Sequence, residues 1–454
     1  SVLPQRNQGF SGRATYDYAN RYLVEFNFGY NGTERLEAGK RYEFFPAMSL
    51  GWVASNEKFW TPVIDVVNYF KLRSSYGLVG SDETGLYAGA PHYLYLSSVN
   101  MNGGGRFESG VTGGLSQQGP LVNSYPVSNA SWERATEFDV GVDLQLFNQL
   151  NFTFDWFSSR RDRILMRRAS FPSVLGYQNA VPWANVGKVD NKGFELSASW
   201  TKQINKDWFI DARANYTYSR NKYVYVDEPD YPYVWQTQTG KPLDAMRGYI
   251  AEGLFSNQAE IDASPDQSIF GSTVMPGDIR YRDINGDNRI TAEDQVMLSP
   301  YGGMPRIQYG FGISVQWKNL DVSVFFNGSA KRNIMLTGMY PFCANDSNDN
   351  NLMKWIADSH WSEGADNSNV LYPRLGTLTT QISNNNQPSS WWMRDGSFLR
   401  FKTLEVGYRL KWFRLYFSAD NLAVWSKFKY WDPELSFNSY PLQRTFNIGL
   451  QFNL

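Results

Sequence analysis

Residues 307–327 read IQYGFGISVQWKNLDVSVFFN. Apolar side chains take every second position from Ile307 through Tyr309, Phe311, Ile313, Val315 and Trp317, with Gln308, Gly310, Gly312, Ser314 and Gln316 between them. After Lys318 and Asn319 the alternation restarts: Leu320, Val322, Val324 and Phe326 stand against Asp321, Ser323 and Asn327. A period of two is the pattern of strands with one apolar face, and a two-residue break is a hairpin turn. Strands of soluble proteins average ~5–6 residues, whereas a strand that crosses a bilayer needs ~9–11. This hairpin has the longer dimension.

The same pattern recurs along the chain. Phe152, Phe154 and Trp156 alternate with Asn151, Thr153 and Asp155, and Ile210, Ala212, Ala214, Tyr216 and Tyr218 with Asp211, Arg213, Asn215 and Thr217. The pattern predicts about thirteen strands, near 10–18, 21–31, 42–55, 69–79, 131–147, 149–165, 190–204, 207–222, 306–317, 319–331, 397–410, 412–425 and 441–454. In 397–410 the apolar parity switches near Thr403, as a β-bulge would make it do. Connections alternate between tight turns and the long segments 80–130, 166–189, 223–305, 332–396 and 426–440. Transmembrane barrels have short periplasmic turns and long external loops. Residues 56–68 fall on the short-turn side, and a small helical excursion is expected there.

Composition agrees. The chain of 454 residues is 16% aromatic but only 42% hydrophobic, the combination expected of interface girdles around a polar lumen. No apolar run reaches the ~18 residues of a membrane helix. A net charge of −1 without a basic stripe argues against nucleic acid as a partner. The single cysteine, Cys343, excludes an internal disulfide framework, and His92 and His360 lack ligand spacing. No nucleophile–base pair stands out, so an enzyme is not expected. The fold class expected is all-β, an antiparallel transmembrane β-barrel.

The last residues, with Asn447, Gly449, Phe452 and Leu454, fit a polar–x–Gly–x–x–apolar–x–apolar ending, similar to the terminal signal read by the outer-membrane assembly machinery. Single-chain bacterial barrels have an even strand number, so an odd count means either a miscounted strand or strands carried elsewhere.

Several segments resemble SusC/RagA-family TonB-dependent transporters: RYLVEFNFGYNGTERL (21–36), FPAMSLGWVASNE (45–57), FKLRSSYGLVGSDE (70–83), WERATEFDVGVDLQLF (132–147), FDWFSSRRDRILM (154–166), NVGKVDNKGFELSASW (185–200) and PGDIRYRDINGDNRITAEDQ (276–295). The resemblance implies a 22-strand barrel in the bacterial outer membrane, of which residues 1–454 form the C-terminal part. The plug domain and first strands would lie outside this chain, on a separate polypeptide or cut away at an external loop. It further implies active import of oligosaccharides, or alternatively of oligopeptides. The implied partners are a SusD-like capping lipoprotein, the TonB–ExbB–ExbD complex acting through the plug, and outer-membrane lipids. A passive porin or a structural or adhesion barrel is the competing class.

Two features bear on chemistry. In the run from Asp283 to Asp294, oxygen side chains at Asp283, Asn285, Asp287 and Asp294, with a carbonyl from Arg289, have the spacing of a calcium loop. Gly286 comes two positions early and Asp294 replaces the usual Glu, and the same residues equally suit an Asx-rich turn. A structural Ca²⁺ in an external loop is the expectation. Among the external aromatic residues, Trp235, Trp391 and Trp392 are candidates for stacking on substrate rings; Tyr231, Tyr233, Trp355 and Trp361 accompany them. Arg160, Arg161, Arg163, Arg167 and Arg168 mark a basic rim that could meet anionic substrate or lipid phosphates.

Overall fold

The computed structural model describes residues 6–83, 92–110, 114–127, 129–170, 181–336, 352–376, 379–435 and 439–452. Cys343 and Leu454 lie outside them. The chain divides into two compact units, one holding Ser1–Ile204, Phe209–Asp230 and Gln238–Leu243, the other Asn205–Trp208, Tyr231–Thr237 and Asp244–Leu454.

The first unit carries eight long antiparallel strands in sequence order. These are β1 (Asn7–Tyr18), β2 (Tyr22–Thr33), β3 (Tyr42–Val53), β4 (Val67–Ser81), β5 (Glu133–Leu146), β6 (Leu150–Arg167), β7 (Trp183–Gln203) and β8 (Trp208–Tyr225). Register keeps the two parities apart over the whole sheet. One row of cross-strand partners runs Tyr18, Tyr22, Trp52, Leu72, Val142, Phe154, Leu196, Tyr216. The adjacent row runs Asp17, Leu23, Gly51, Arg73, Gly141, Asp155, Glu195, Thr217. A slip of one residue on any strand would exchange these faces, so the pattern itself pins the register.

The tight turns need no glycine. Ala19 and Asn20 both have positive φ, as do Phe147 and Asn148, the geometry of type I′ turns, whose twist matches that of the flanking strands. Between β3 and β4 the chain forms two short 3₁₀ turns, Ala54–Asn56 and Lys58–Val63, the helical excursion expected there.

The second unit has five long strands, β9 (Ile307–Trp317), β10 (Leu320–Ala330), β11 (Phe398–Arg409), β12 (Phe413–Ser426) and β13 (Thr445–Phe452). Val315, Val322, Val406, Phe417 and Ile448 form one row, and Ser314, Ser323, Glu405, Ser418 and Asn447 the next. Lys402 is extra: Phe401 pairs with Phe326 and Thr403 with Phe325. This bulge is the parity switch of the sequence. All thirteen expected strands are present, within a few residues at most ends; β7 begins seven residues earlier than its pattern, at Trp183.

The dense apolar cores are not between the strands. In the second unit Tyr249, Ile279, Tyr281, Ile290, Leu336, Ile356, Tyr372, Trp392 and Phe428 pack together, all from the long connections. In the first unit Leu36, Leu94, Val127, Ala130 and Trp132 close over Phe45 and Leu165. On the strands themselves the apolar parity is open: Phe26, Leu50, Tyr76, Phe311, Leu415 and Ile448 are all exposed. A soluble sheet would cover such a surface; a lipid-facing wall leaves it bare.

Candidate functional site

The polar face of the strands is organised by two arginines. Arg73 reaches Asp155 (2.6 Å), Asp143 (3.3 Å) and Asp139 (3.6 Å). Gly141 makes this possible, because a Cβ there would collide with both Arg73 and Asp155. In the second unit Arg414 crosses Gly407 in the same way, to bind Asp321 and Glu405. Such networks belong on a face turned to water or protein, since a charge in hydrocarbon is costly.

The external core of the second unit is built on a buried polar scaffold. Asp278, with no exposed surface, accepts bidentate hydrogen bonds from Arg374 at 2.8 and 3.2 Å and one from Asn385 Nδ2 at 2.8 Å. Asn385 Oδ1 accepts from the Ile279 amide at 2.8 Å. Asn384 Nδ2 donates to the Ile279 carbonyl at 2.9 Å, and Gln267 Nε2 to Asn384 Oδ1 at 2.8 Å. Gln267, Asn384 and Asn385 are buried, and all three bond the backbone of the short strand Ile279–Tyr281, which satisfies groups that would otherwise be costly to bury. Arg400 does similar work beside the strands: nearly fully buried, it holds Asp432 at 2.6 Å and Glu434 at 3.1 Å. Sequence reading singled out none of these residues, because in loops polar side chains look solvated.

Tyr281 donates its hydroxyl to the Asn384 carbonyl at 2.7 Å. Burial pushes its ionisation well above the ordinary value near 10, and burial also raises that of Tyr249. Both groups are acids whose folded ionisation is raised. Their stabilisation is therefore whole below the unfolded value near 10 and is lost as pH rises above it. Amide protection across 245–336, taken relative to the intrinsic base-catalysed exchange rate at each pH, is expected to fall above about pH 10, and Tyr281→Phe to weaken that fall. Protection that stays constant with pH would contradict this placement.

Two clefts flank Trp391. One, of about 740 Å³, is lined among others by Trp355, Tyr430, Asp358, Asn369, Ser390 and Arg394; the other, of about 920 Å³, by Phe255, Trp361, Glu363, Asn367 and Arg374. Trp391 lines both and donates Nε1 to the Leu371 carbonyl at 3.1 Å. The other two sequence candidates are differently placed. Trp392 is only 1% exposed and donates to the Asn385 carbonyl at 2.6 Å, so it is a core ring and cannot stack on a ligand. Trp235 is stacked on Tyr233 at 4.5 Å and donates to the Glu293 carbonyl at 2.7 Å, which occupies one of its faces. Trp355, one of the external rings noted in the sequence, and Tyr430, which the sequence reading did not single out, line the first cleft with Trp391.

In the Asp283–Asp294 loop the side-chain oxygens cap the loop's own amides. Asp283 accepts from Gly286 N (2.7 Å) and Asn288 N (2.8 Å), Asn285 from Asp287 N (3.1 Å), and Asp287 from Arg289 N (2.9 Å). Asp294, fully buried, accepts from Ile284 N at 2.8 Å and Thr291 N at 2.7 Å. This is the geometry of Asx turns. Among the described residues no group of three or more His, Cys, Asp or Glu is placed to hold a metal. Calcium titration tests the cation expectation: heat of binding, with protection of residues 283–294, would establish an ion there. Without heat, the amides are the partners that matter. On either outcome Asp283→Ala should release two amides and loosen the loop by about 1–2 kcal/mol, read by proteolysis.

Three arginines of the rim have carboxylate partners. Arg160 faces Asp190 at 3.9 Å, Arg163 meets Glu43 at 3.4 Å, and Arg168 holds Asp227 at 3.1 Å. Their neighbours hold the Asp227 carboxyl below the ordinary carboxylate range: the Ser170 amide first, then the Arg168 guanidinium. His92 packs edge-on to Tyr93 at 4.8 Å, and His360 Nδ1 lies 3.0 Å from the Ala357 carbonyl.

The family model described as TonB dependent receptor-like, beta-barrel matches residues 3–422. TonB-dependent receptor P3 of Formosa agariphila is 25% identical over 97% of this chain and 44% of its own length. TonB-dependent receptor SusC of Bacteroides thetaiotaomicron is 25% identical over 97% of this chain and 43% of its own length. The RagAB peptide transporter structure superposes with a TM-score of 0.70 at 20% identity, over 98% of this chain and 47% of that one. The chain thus spans somewhat less than half the length of the relatives it matches.

Proposed function

The chain belongs to the TonB dependent receptor-like β-barrel family, and from that membership we propose that it forms part of the wall and external surface of an oligosaccharide importer. The family is one of outer-membrane transporters, not of enzymes, and a two-faced wall of long antiparallel strands is what such a location requires. In this proposal a plug and further strands complete the lumen. TonB–ExbB–ExbD supplies energy through the plug, and a SusD-like lipoprotein caps the external side.

The observation that carries the cargo reading is the pair of clefts around Trp391. Aromatic rings from Trp355, Trp391 and Tyr430 stand beside Asp358, Asn369, Ser390 and Arg394 in the first of them. Rings give flat apolar faces for sugar C–H groups, and short polar side chains fix hydroxyls. The same cleft supports a peptide reading through one detail: Asp358 and Arg394 offer opposite charges for a peptide's two termini.

Uptake of labelled oligosaccharide by cells carrying the whole transporter is the test. Import should stop when TonB is deleted, and Trp391→Ala should raise the half-saturating concentration while surface expression is unchanged. Uptake that survives loss of TonB would make this a porin, and uptake of oligopeptide instead would select the other cargo.

A further inference from the structure

We propose that the lipid-facing rim of β6, β7 and β8 is a binding site for a phosphate-bearing lipid headgroup of the outer leaflet, held by Arg160, Lys188, Lys192, Arg220 and Lys222. The site is separate from the cargo clefts and uses the opposite parity from the Arg73 network.

The argument begins with register. Trp156, Phe194 and Tyr218 are consecutive cross-strand partners on the apolar parity. One position further toward the external end, on the same face, come Ser158, Lys192 and Arg220; one further still come Arg160, Asp190 and Lys222. Lys188 follows on β7, and all five cations are exposed. The apolar belt therefore ends abruptly in a basic one.

Height places this belt at the membrane surface. Arg160 is ten residues beyond Leu150, where β6 leaves its tight turn. At ~3.3 Å per residue that is about 33 Å of strand, or about 25 Å of height at a tilt near 40°, the thickness of a barrel's apolar band.

Two features point to an anion rather than to solvated charge. Lys192 and Arg220 are direct cross-strand partners, and like charges in that position repel. An oxyanion set between them would turn the repulsion into two charge-assisted contacts. Next to them a cleft of about 710 Å³ is lined by Arg160, Arg163, Lys188, Asn185 and Tyr225, with Asp162. Arg163 is already engaged by Glu43 and Asp162, and Asp190 partly offsets Arg160. Positive charge still predominates on this face, directly above rings that would lie against acyl chains.

Binding of monophosphoryl lipid A to the detergent-solubilised transporter, measured by native mass spectrometry, tests the site. Lys192→Gln with Arg220→Gln should weaken it roughly thirtyfold, the effect of removing two cations from a lipid surface. Lys192→Glu serves as the check on folding. It places a carboxylate opposite Arg220, so heat resistance of the barrel should hold or rise while lipid binding falls. Dephosphorylated lipid A should bind parent and variants alike, and weakly. The proposal is overturned if the variants bind like the parent or if the dephosphorylated lipid binds equally well. It is also overturned if inorganic phosphate displaces the lipid at matching concentrations, which would make this a free-anion site.

Discussion

Trp392→Ala is expected to cost the external core of the second unit about 3–5 kcal/mol and to leave the strands standing. The ring is almost wholly buried, packs edge-on to Tyr372 at 5.1 Å, and donates to the Asn385 carbonyl. Its own carbonyl accepts from the Leu336 amide at 3.0 Å. Removing the indole leaves a large cavity in the cluster that also holds Ile356, Leu336 and Phe428 and strands the Asn385 carbonyl. Since most of that core is loop, little else holds it. Hydrogen exchange across 245–336 and 379–395 should rise steeply, while the heat-modifiable gel migration of the barrel stays as it was. Trp391, one residue away, would lose its setting, so cargo affinity should fall as well. Unchanged exchange in these loops would show that the core is held by something other than this ring.

Asp278→Ala should be of similar size. The carboxylate is fully buried and receives Arg374, Asn385 Nδ2 and the Met275 amide at 2.9 Å. Breaking a buried pair from one side leaves the partner's charge uncompensated, typically about 3–5 kcal/mol. Removing both charges is different: Asp278→Ala with Arg374→Met should recover much of the loss. A double-mutant cycle on loop protection reads the coupling directly, and additive effects would contradict a shared site.

What was legible in the sequence follows from where the physics is local. Strand parity is written in adjacent residues, so all thirteen strands, and even the extra residue at Lys402, could be read from alternation alone. The tight turns followed from the gaps between alternating runs, although Phe147 in a left-handed conformation carries no obvious turn signal. The loops obey no such period. Trp391 and Trp392 are neighbours in sequence, yet one lines a cleft and the other is core. Asn384 and Gln267 meet across more than a hundred residues, and nothing in either local sequence announces that the contact is buried. The Asp283 loop shows a further ambiguity: residues spaced for an ion are also spaced for their own amides. In the folded loop those oxygens point at the amides.

The central claim is that the apolar parity of the strands faces lipid and the polar parity faces the lumen. Spin labels on single cysteines in the reconstituted transporter test it most directly, by comparing collisions with oxygen, which concentrates in hydrocarbon, and with a polar nickel complex, which stays in water. Labels at Phe152, Val322 and Leu415 should favour oxygen; labels at Ser197 and Ser323, one position away in parity and outside the charge networks, should favour nickel or be shielded by a plug. The reverse assignment, or nickel access on both faces, would contradict the account.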